Sequence, residues 1–372
     1  MHHSPLAKLT QLNWLLTTCI FLMALLGFAM MFSAAGGHMA PWASHQMMHF
    51  TFGFILMTVI AVTPVQTLLR YSYAIYIICL IVLVGIEVAG FIGKGAKRWI
   101  DVGGVNLQPS EIMKLAVILA LARYFHSENQ ADINRLVHLV PPLLLVAVPA
   151  VFILRQPNLG TATILTFVGA SLFYMAGVRT RYFLIIIAVG LMAAPVGWHF
   201  LHDYQKQRVM TFLHPEENPL GAGYNIMQSI IAIGSGGFFG KGYLHGSQGQ
   251  LNFLPEKHTD FIFTMVAEEF GFLGCVFVLA VYLTLIGYGI AIGLRSRHTF
   301  GSFIAIGVSS MLFVHIIINT MMIMGLIPVV GVPLPMLSYG GSSMISILIG
   351  FGFMQNAYIN RDVNLPRRVG LL

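Results

Sequence analysis

Ten apolar stretches recur along this chain, at about 12–34, 47–69, 72–92, 109–126, 136–153, 160–178, 182–201, 260–290, 301–326 and 338–359. Each reaches or nearly reaches the roughly 20 residues that a helix rising 1.5 Å per residue needs to cross a bilayer. Hydrocarbon offers no partner for a backbone N–H or C=O, so segments of this kind fold as helices. Only 9% of the 372 residues are charged and 57% are hydrophobic, whereas a soluble domain carries about 25% charged residues. The sequence therefore predicts an all-α, polytopic membrane protein: a single domain over residues 1–372 with about ten transmembrane helices. A polar loop at about 202–259, between helices 7 and 8, is its largest connection.

Charge orients the spans. With ten crossings both termini share one side, and that side holds Lys8, Arg70, Arg123, Arg135, Arg179, Arg181, Arg295, Arg297, Arg361, Arg367 and Arg368. The short loops of the other side hold Lys94, Lys97, Arg98 and Arg155. Positive charge accumulates on the cytoplasmic side, so the termini are predicted to be cytoplasmic and the 202–259 loop extracytoplasmic. The net charge of +7 then reflects topology, and no nucleic-acid partner is expected. The stretch Leu12 to Phe32 is long and continuous for a signal peptide and reads as a retained anchor. Cys19, Cys79 and Cys275 lie in separate apolar stretches, which argues against a disulfide framework.

Polar residues at membrane boundaries are costly, and each is a functional candidate. In His258-Thr259-Asp260-Phe261-Ile262-Phe263 the long loop ends and an apolar helix begins. If the helix includes Asp260, then Thr264, Ala267 and Glu268 share its face, with Glu268 about 12 Å deeper. Asp260 could cap that helix or carry chemistry, and chemistry is the stronger reading. Lys94-x-x-Lys97-Arg98-Trp99 sets three cations in a short outer loop, followed by Gln108-Pro109-Ser110-Glu111-x-x-Lys114. Glu111 and Lys114 could form a structural ion pair at i, i+3 or bind phosphate and sugar hydroxyls. In the long loop, Arg208, Lys241 and His258 could meet an anionic lipid head group, since an Arg fork holds two phosphate oxygens; a merely solvated loop is the alternative. Tyr224, Met227, Ile230 and Ile231 occur there at helical spacing, predicting amphipathic helices along the outer leaflet.

Two weaker signals fail. Ser235 to Gly242 lacks the leading Gly and the Ser or Thr after Lys of a phosphate loop. His45 and His49 have the spacing of a helical metal pair but no third ligand nearby. A last feature is more telling. From Asn319 the chain runs through Gly325-Leu326-Ile327-Pro328, Gly331-Val332-Pro333-Leu334-Pro335 and Ser338-Tyr339-Gly340-Gly341-Ser342-Ser343. Repeated Pro and Gly break the helix at membrane depth, which is tolerated only where protein or a polar cavity satisfies the backbone.

The Asn319–Ser343 segment, with Lys94–Lys114, His202–Met210, Gly221–Gly246 and Leu254–Glu269, resembles the SEDS family (shape, elongation, division and sporulation). The resemblance implies a ten-helix peptidoglycan glycosyltransferase in the bacterial cytoplasmic (inner) membrane. Its substrates would be lipid II and the growing glycan chain, and its partner a class B penicillin-binding transpeptidase of the elongation complex. It places the essential acid on Asp260 and polar cavity residues on Arg98, Glu111 and Lys114; Ser338, in the matching segment, is a further candidate for substrate binding. Such a reaction needs a base for a sugar hydroxyl and positive charge for the departing diphosphate. Asp260 is expected to supply the first. Arg98, Lys114 and Arg208, or a divalent cation (Mg²⁺ or Mn²⁺), would supply the second. Glu111 would position Lys114 or a sugar hydroxyl. A flippase for lipid-linked precursor, or a non-catalytic scaffold for the transpeptidase, is the competing reading.

Overall fold

The computed structural model describes residues 8–367, apart from 90, 94, 95, 103, 104, 130–132, 201, 202, 215–221, 252 and 255. The chain is mostly helical. In order, α1 is Trp14–Ala34, α2 Trp42–Val62 and α3 Val65–Ala89; after three short strands come α4 Pro109–Ser127, α5 Leu136–Arg155, α6 Leu159–Met175 and α7 Thr180–Phe200. Then follow α8 Asp203–Leu213, α9 Ala222–Gly236, α10 Ser247–Gln250, α11 Ile262–Arg295, α12 Thr299–Ile323 and α13 Gly341–Ile359. Among the described residues six helices are long and apolar enough to cross a membrane: α1, α2, α3, α5, α11 and α12. The expected spans near 109–126, 160–178, 182–201 and 338–359 are helical too, as α4, α6, α7 and α13.

Local grammar explains the helix ends. Asn13, Asn158 and His298 cap α1, α6 and α12 by accepting from Leu16 N, Thr161 N and Gly301 N. Pro109 opens α4, where its missing N–H costs nothing. One pair of boundaries differs from expectation. The stretch 47–69 is not one span: α2 ends at Val62 and α3 starts at Val65, because Pro64 forces Thr63 into an extended conformation (ψ 140°).

The core is formed by α4, α12 and α13. Nearly every residue of α4 from Pro109 to Ala122 is buried, and α2 lies against α13 so closely that a Cβ on Gly352 would sit 2.8 Å from Met57 O. Apolar side chains such as Leu184, Ile186 and Leu191 of α7 point outward, as a lipid-facing surface requires. Between α3 and α4 the chain forms an antiparallel sheet in the order β1 (Phe91–Gly93), β2 (Ala96–Val102), β3 (Val105–Leu107), absent from the all-α expectation. Its register pairs Phe91 with Trp99 and Ile100 with Leu107.

The expected amphipathic helices of the long loop appear as α8 and α9. The loop after α9 is built into a break in α11. Gly271 has φ 64° and ψ −158°, a region open essentially to glycine. The orphaned carbonyls of Glu268 and Glu269 accept from Lys241 N and Gly242 N at 3.0 Å. In return Phe272 N and Leu273 N donate to Gly237 O and Phe238 O. Four backbone groups freed by the break are thus paired with the loop.

Candidate active site

The Pro- and Gly-rich segment after α12 is non-helical from Gly325 to Gly340 except for turns. Its carbonyls are held by four side chains from three helices. Asn319 Nδ2 (α12) donates to Val332 O at 2.8 Å, and Gln46 Nε2 (α2) to Ser338 O at 3.1 Å. The Tyr282 hydroxyl (α11) donates to Pro335 O, and His315 Nδ1 (α12) lies 3.2 Å from Pro333 O. Within the segment, Leu334 N donates to Ser338 Oγ at 2.7 Å. This is the protein-satisfied irregular backbone that membrane depth demands.

The same groups fix the residues around Asp260. Asn319 Nδ2 also donates to Asp260 O at 2.8 Å, and Tyr339 N donates to His258 O at 2.8 Å. Asp260 is consequently not helical. It lies in a run of turns, α11 starts at Ile262, and the N-cap is Phe261, with no side-chain capping bond. The expected shared helix face with Thr264 and Glu268 therefore does not form, and capping does not explain Asp260. Gly331 lies across from its carboxylate: a Cβ there would be 3.5 Å from Asp260 Oδ2. At φ 68° a glycine suits Gly331 on conformational grounds as well.

Asp260 opens on a cavity of about 360 Å³, part polar and part apolar. Asp260, Thr259 and Glu256 line it from the end of the long loop, Arg208 from α8, and Glu111 and Gln108 from the start of α4. Asn158 and Thr161 at the start of α6, Trp99 of β2, His315, Tyr339, Gly340, Ser342 and Ser343 close it. Ser342 ties two of these walls, accepting from Gln108 N at 2.9 Å and donating to Asn106 O at 2.7 Å.

Three expected residues thus share one cavity: Asp260, Glu111 and Arg208. Lys114 stands behind Glu111 and is buried. Its ammonium is 3.0 Å from both Glu111 oxygens and 2.9 Å from His315 Nε2, and Ser346 Oγ donates to Glu111 Oε2 at 3.2 Å. The ion pair, one of the two readings of this spacing, is formed, and Lys114 is not among the lining residues. The Arg98 side chain and Lys94 lie outside the described residues; Trp99, next along β2, lines the cavity.

The other expected residues have neighbours elsewhere. Lys241 pairs with Glu268 at 2.7 Å, a carboxylate that also accepts from Ser247 Oγ and Gln248 N at 3.0 Å. His258 stacks on Trp42 with ring centroids 4.4 Å apart and planes at 8°. The Ser338 hydroxyl is engaged with Leu334 N. Sequence reasoning missed His315, Glu256, Asn158 and Thr161 as cavity residues. His315 carried a usable signal, a lone imidazole inside an apolar span.

No group of three or more His, Cys, Asp or Glu side chains able to hold a metal occurs among the described residues. The carboxylates of Glu256 and Asp260 and the Thr259 hydroxyl are nonetheless hard oxygen donors on one wall. Mg²⁺ is commonly held by one or two carboxylates with the remaining positions taken by water and substrate phosphate, and this donor set fits that use.

Residues 13–362 match the FtsW/RodA/SpoVE family model, described as Cell cycle protein. The chain is 44% identical over 359 residues to peptidoglycan glycosyltransferase MrdB of Escherichia coli K12, covering 93% of this chain and 94% of that protein. It is 37% identical over 363 residues to stage V sporulation protein E of Bacillus subtilis, covering 94% and 97%. The fold resembles a chain from a peptidoglycan synthase complex studied for the coordination of polymerization and crosslinking (TM-score 0.83, 29% identity, 95% and 99% covered). It also resembles the rod-shape-determining protein RodA of Thermus thermophilus (TM-score 0.71, 27% identity, 95% and 98% covered). With the family model matched over nearly its whole length, and with the broken segment and cavity built from the motifs that carry the resemblance, this chain belongs to the SEDS family of FtsW, RodA and SpoVE proteins.

Proposed function

We propose that this chain is a peptidoglycan glycosyltransferase that polymerises lipid II at the outer face of the cytoplasmic membrane during elongation and rod-shape maintenance. The observation that carries this reading is the cavity that joins the Asp260 and Glu111 carboxylates to the Arg208 guanidinium, in a chain 44% identical to a protein named peptidoglycan glycosyltransferase. The 4-hydroxyl of one disaccharide attacks the anomeric carbon of another. The new glycosidic bond forms as the bond to the polyprenyl diphosphate breaks, with inversion. The hydroxyl proton passes to Asp260, a general-base role worth about 10²–10⁴-fold, and the electron pair leaves with the diphosphate.

Arg208, with its bidentate fork, stabilises the charge growing on that leaving group. The Arg98 side chain is assigned the same task on the sequence resemblance. Glu111, its carboxylate fixed by Lys114 and Ser346, orients a sugar hydroxyl. A divalent cation held by Glu256 and Asp260 would add Lewis-acid charge beside the diphosphate.

We place ten spans, cytoplasmic termini and an extracytoplasmic loop carrying α8, α9 and α10 around this site, and the charge asymmetry of the loops supports that topology. Similarity to a chain of a peptidoglycan synthase complex supports a class B penicillin-binding transpeptidase as partner. The test is glycan-chain formation from purified lipid II in detergent with that partner present. Wild type forms polymer and Asp260→Asn forms none while still assembling with the partner. Undiminished polymer from Asp260→Asn removes the base assignment. No polymer from a folded, assembled wild type shifts the reading to a flippase or a scaffold.

A further inference from the structure

His315 sits in the middle of α12, is fully buried, and is 201 residues from the lysine it touches. Its two ring nitrogens face different elements. On one side Nε2 is 2.9 Å from Lys114 Nζ. An ammonium can only donate, so Nε2 accepts there. On the other side Nδ1 is 3.2 Å from Pro333 O. A carbonyl can only accept, so the ring proton is on Nδ1. Both contacts are satisfied together by one species, the neutral ring protonated on Nδ1.

That tautomer completes two local accounts. Lys114 has three protons, and the two Glu111 oxygens and His315 Nε2 are three acceptors. The ammonium is thereby held in one orientation, and through it the Glu111 carboxylate, which lines the cavity. Pro333 lies two residues beyond Gly331, the residue facing Asp260 Oδ2. The imidazole therefore links the wall behind Asp260 to the ion pair that orients Glu111.

We propose that His315 is a positioning residue: by accepting from Lys114 and donating to Pro333 O, it sets the Glu111 carboxylate and the wall behind Asp260 in one mutual geometry. The proposal rests on the glycosyltransferase reading above. It assigns His315 no direct part in proton transfer, so its effect falls on turnover through the placement of other groups. It also specifies which replacement works. Glutamine can accept through Oε1 and donate through Nε2 at once; leucine of similar bulk can do neither and leaves a buried ammonium proton and a buried carbonyl without partners.

The experiment is lipid II polymerisation by the full chain assembled with its transpeptidase, comparing wild type, His315→Gln, His315→Leu, Lys114→Met and the Leu/Met double variant, with thermal melting of each. Expected are a fall in kcat of about tenfold or more for His315→Leu with KM for lipid II within about threefold, and His315→Gln within about threefold of wild type. The double variant should be no slower than Lys114→Met alone, because two members of one network are not additive. Full turnover in His315→Leu overturns the proposal, as does a His315→Gln variant that folds yet is as slow as leucine. Additive effects of the Leu and Met changes overturn it as well. If His315→Leu does not fold, the glutamine variant alone and combined with Lys114→Met decides by the same criteria. A wild type that forms no polymer overturns the glycosyltransferase reading and this proposal with it; polymer from wild type and equal polymer from His315→Leu overturns only the proposal.

Discussion

Asn319→Ala isolates the step from backbone architecture to chemistry. Asn319 is fully buried, and its Nδ2 donates at 2.8 Å to both Asp260 O and Val332 O. Alanine leaves two buried carbonyls without donors, at about 1–3 kcal/mol each. The total is about 2–6 kcal/mol, lessened because Asn319 Oδ1, buried without a partner, is removed too. At about 2 °C per kcal/mol for a chain of this size, melting falls by roughly 4–12 °C. The effect on turnover has a different origin. Once its carbonyl is released, Asp260 is free to shift against Gly331, and a displacement of about 1 Å at a reacting group costs about 10²-fold. The control is Tyr282→Phe, which removes the donor to Pro335 O in the same segment but touches nothing at Asp260. It loses about 1–3 kcal/mol and keeps turnover within about threefold of wild type. Melting curves and lipid II polymerisation on both variants decide. Equal loss of turnover in the two would refute the reasoning, since activity would then follow segment stability and not the placement of Asp260.

Three further outcomes follow from the geometry. Lys241→Met strips one donor from the buried Glu268 carboxylate, leaving Ser247 Oγ, Gln248 N and Gly249 N; melting should fall by an amount equivalent to about 1–3 kcal/mol with kcat and KM nearly unchanged, and a rise of KM by about tenfold or more would return Lys241 to substrate binding. Gly271→Ala forces a side chain into φ 64°, with a Cβ 2.8 Å from Phe238 O; the loop at 237–242 should detach and be cleaved faster in limited proteolysis, and unchanged cleavage would mean the break is not locked as described. Burial pushes the Lys257 ammonium below its ordinary 10.5. The folded chain then binds fewer protons than the unfolded one between the two values, so the stability penalty is full below the folded value and is relieved as pH rises towards 10.5. Lys257→Met should flatten that part of the melting-versus-pH curve, and an unaltered slope would remove Lys257 as its cause.

Much of the scaffold was legible because its signals are local. Apolar length gives helices, Pro109 marks a start, and the Pro-Gly run after Asn319 can only be a break. The break in α11 has no local signal, since Gly271 lies in an otherwise apolar helical stretch and the loop that fills it arrives from residues 237–242. The sheet also had a local signal that went unread: Val102 pairs with Val105, and Gly103-Gly104 lies between them, a hairpin turn pattern. Asp260 and Glu111 were found because charge beside hydrocarbon is costly, but Asp260 was wrongly drawn onto the helix. What keeps it off are Asn319 and Tyr339, 59 residues or more away in sequence. Lys241 drew attention by its charge, while its partner Glu268 lies 27 residues on.

The cavity and the scaffold answer to one requirement. A Pro- and Gly-rich backbone at membrane depth exposes carbonyls that lipid cannot satisfy, so polar side chains must be sent to it from the surrounding helices. Asn319, Gln46, Tyr282 and His315 are those side chains. Each is itself buried and polar, so a second bond is advantageous wherever geometry permits. For Asn319 the second bond goes to the backbone of Asp260, and for His315 to Lys114. The donors that make the break tolerable thereby also fix the two carboxylates, one through its own backbone and the other through its ammonium partner. The segment's irregularity and the site's rigidity have a common cause, and a substitution that restored helix at 331–335 would remove the carbonyls, their donors' purpose and the placement of Asp260 together.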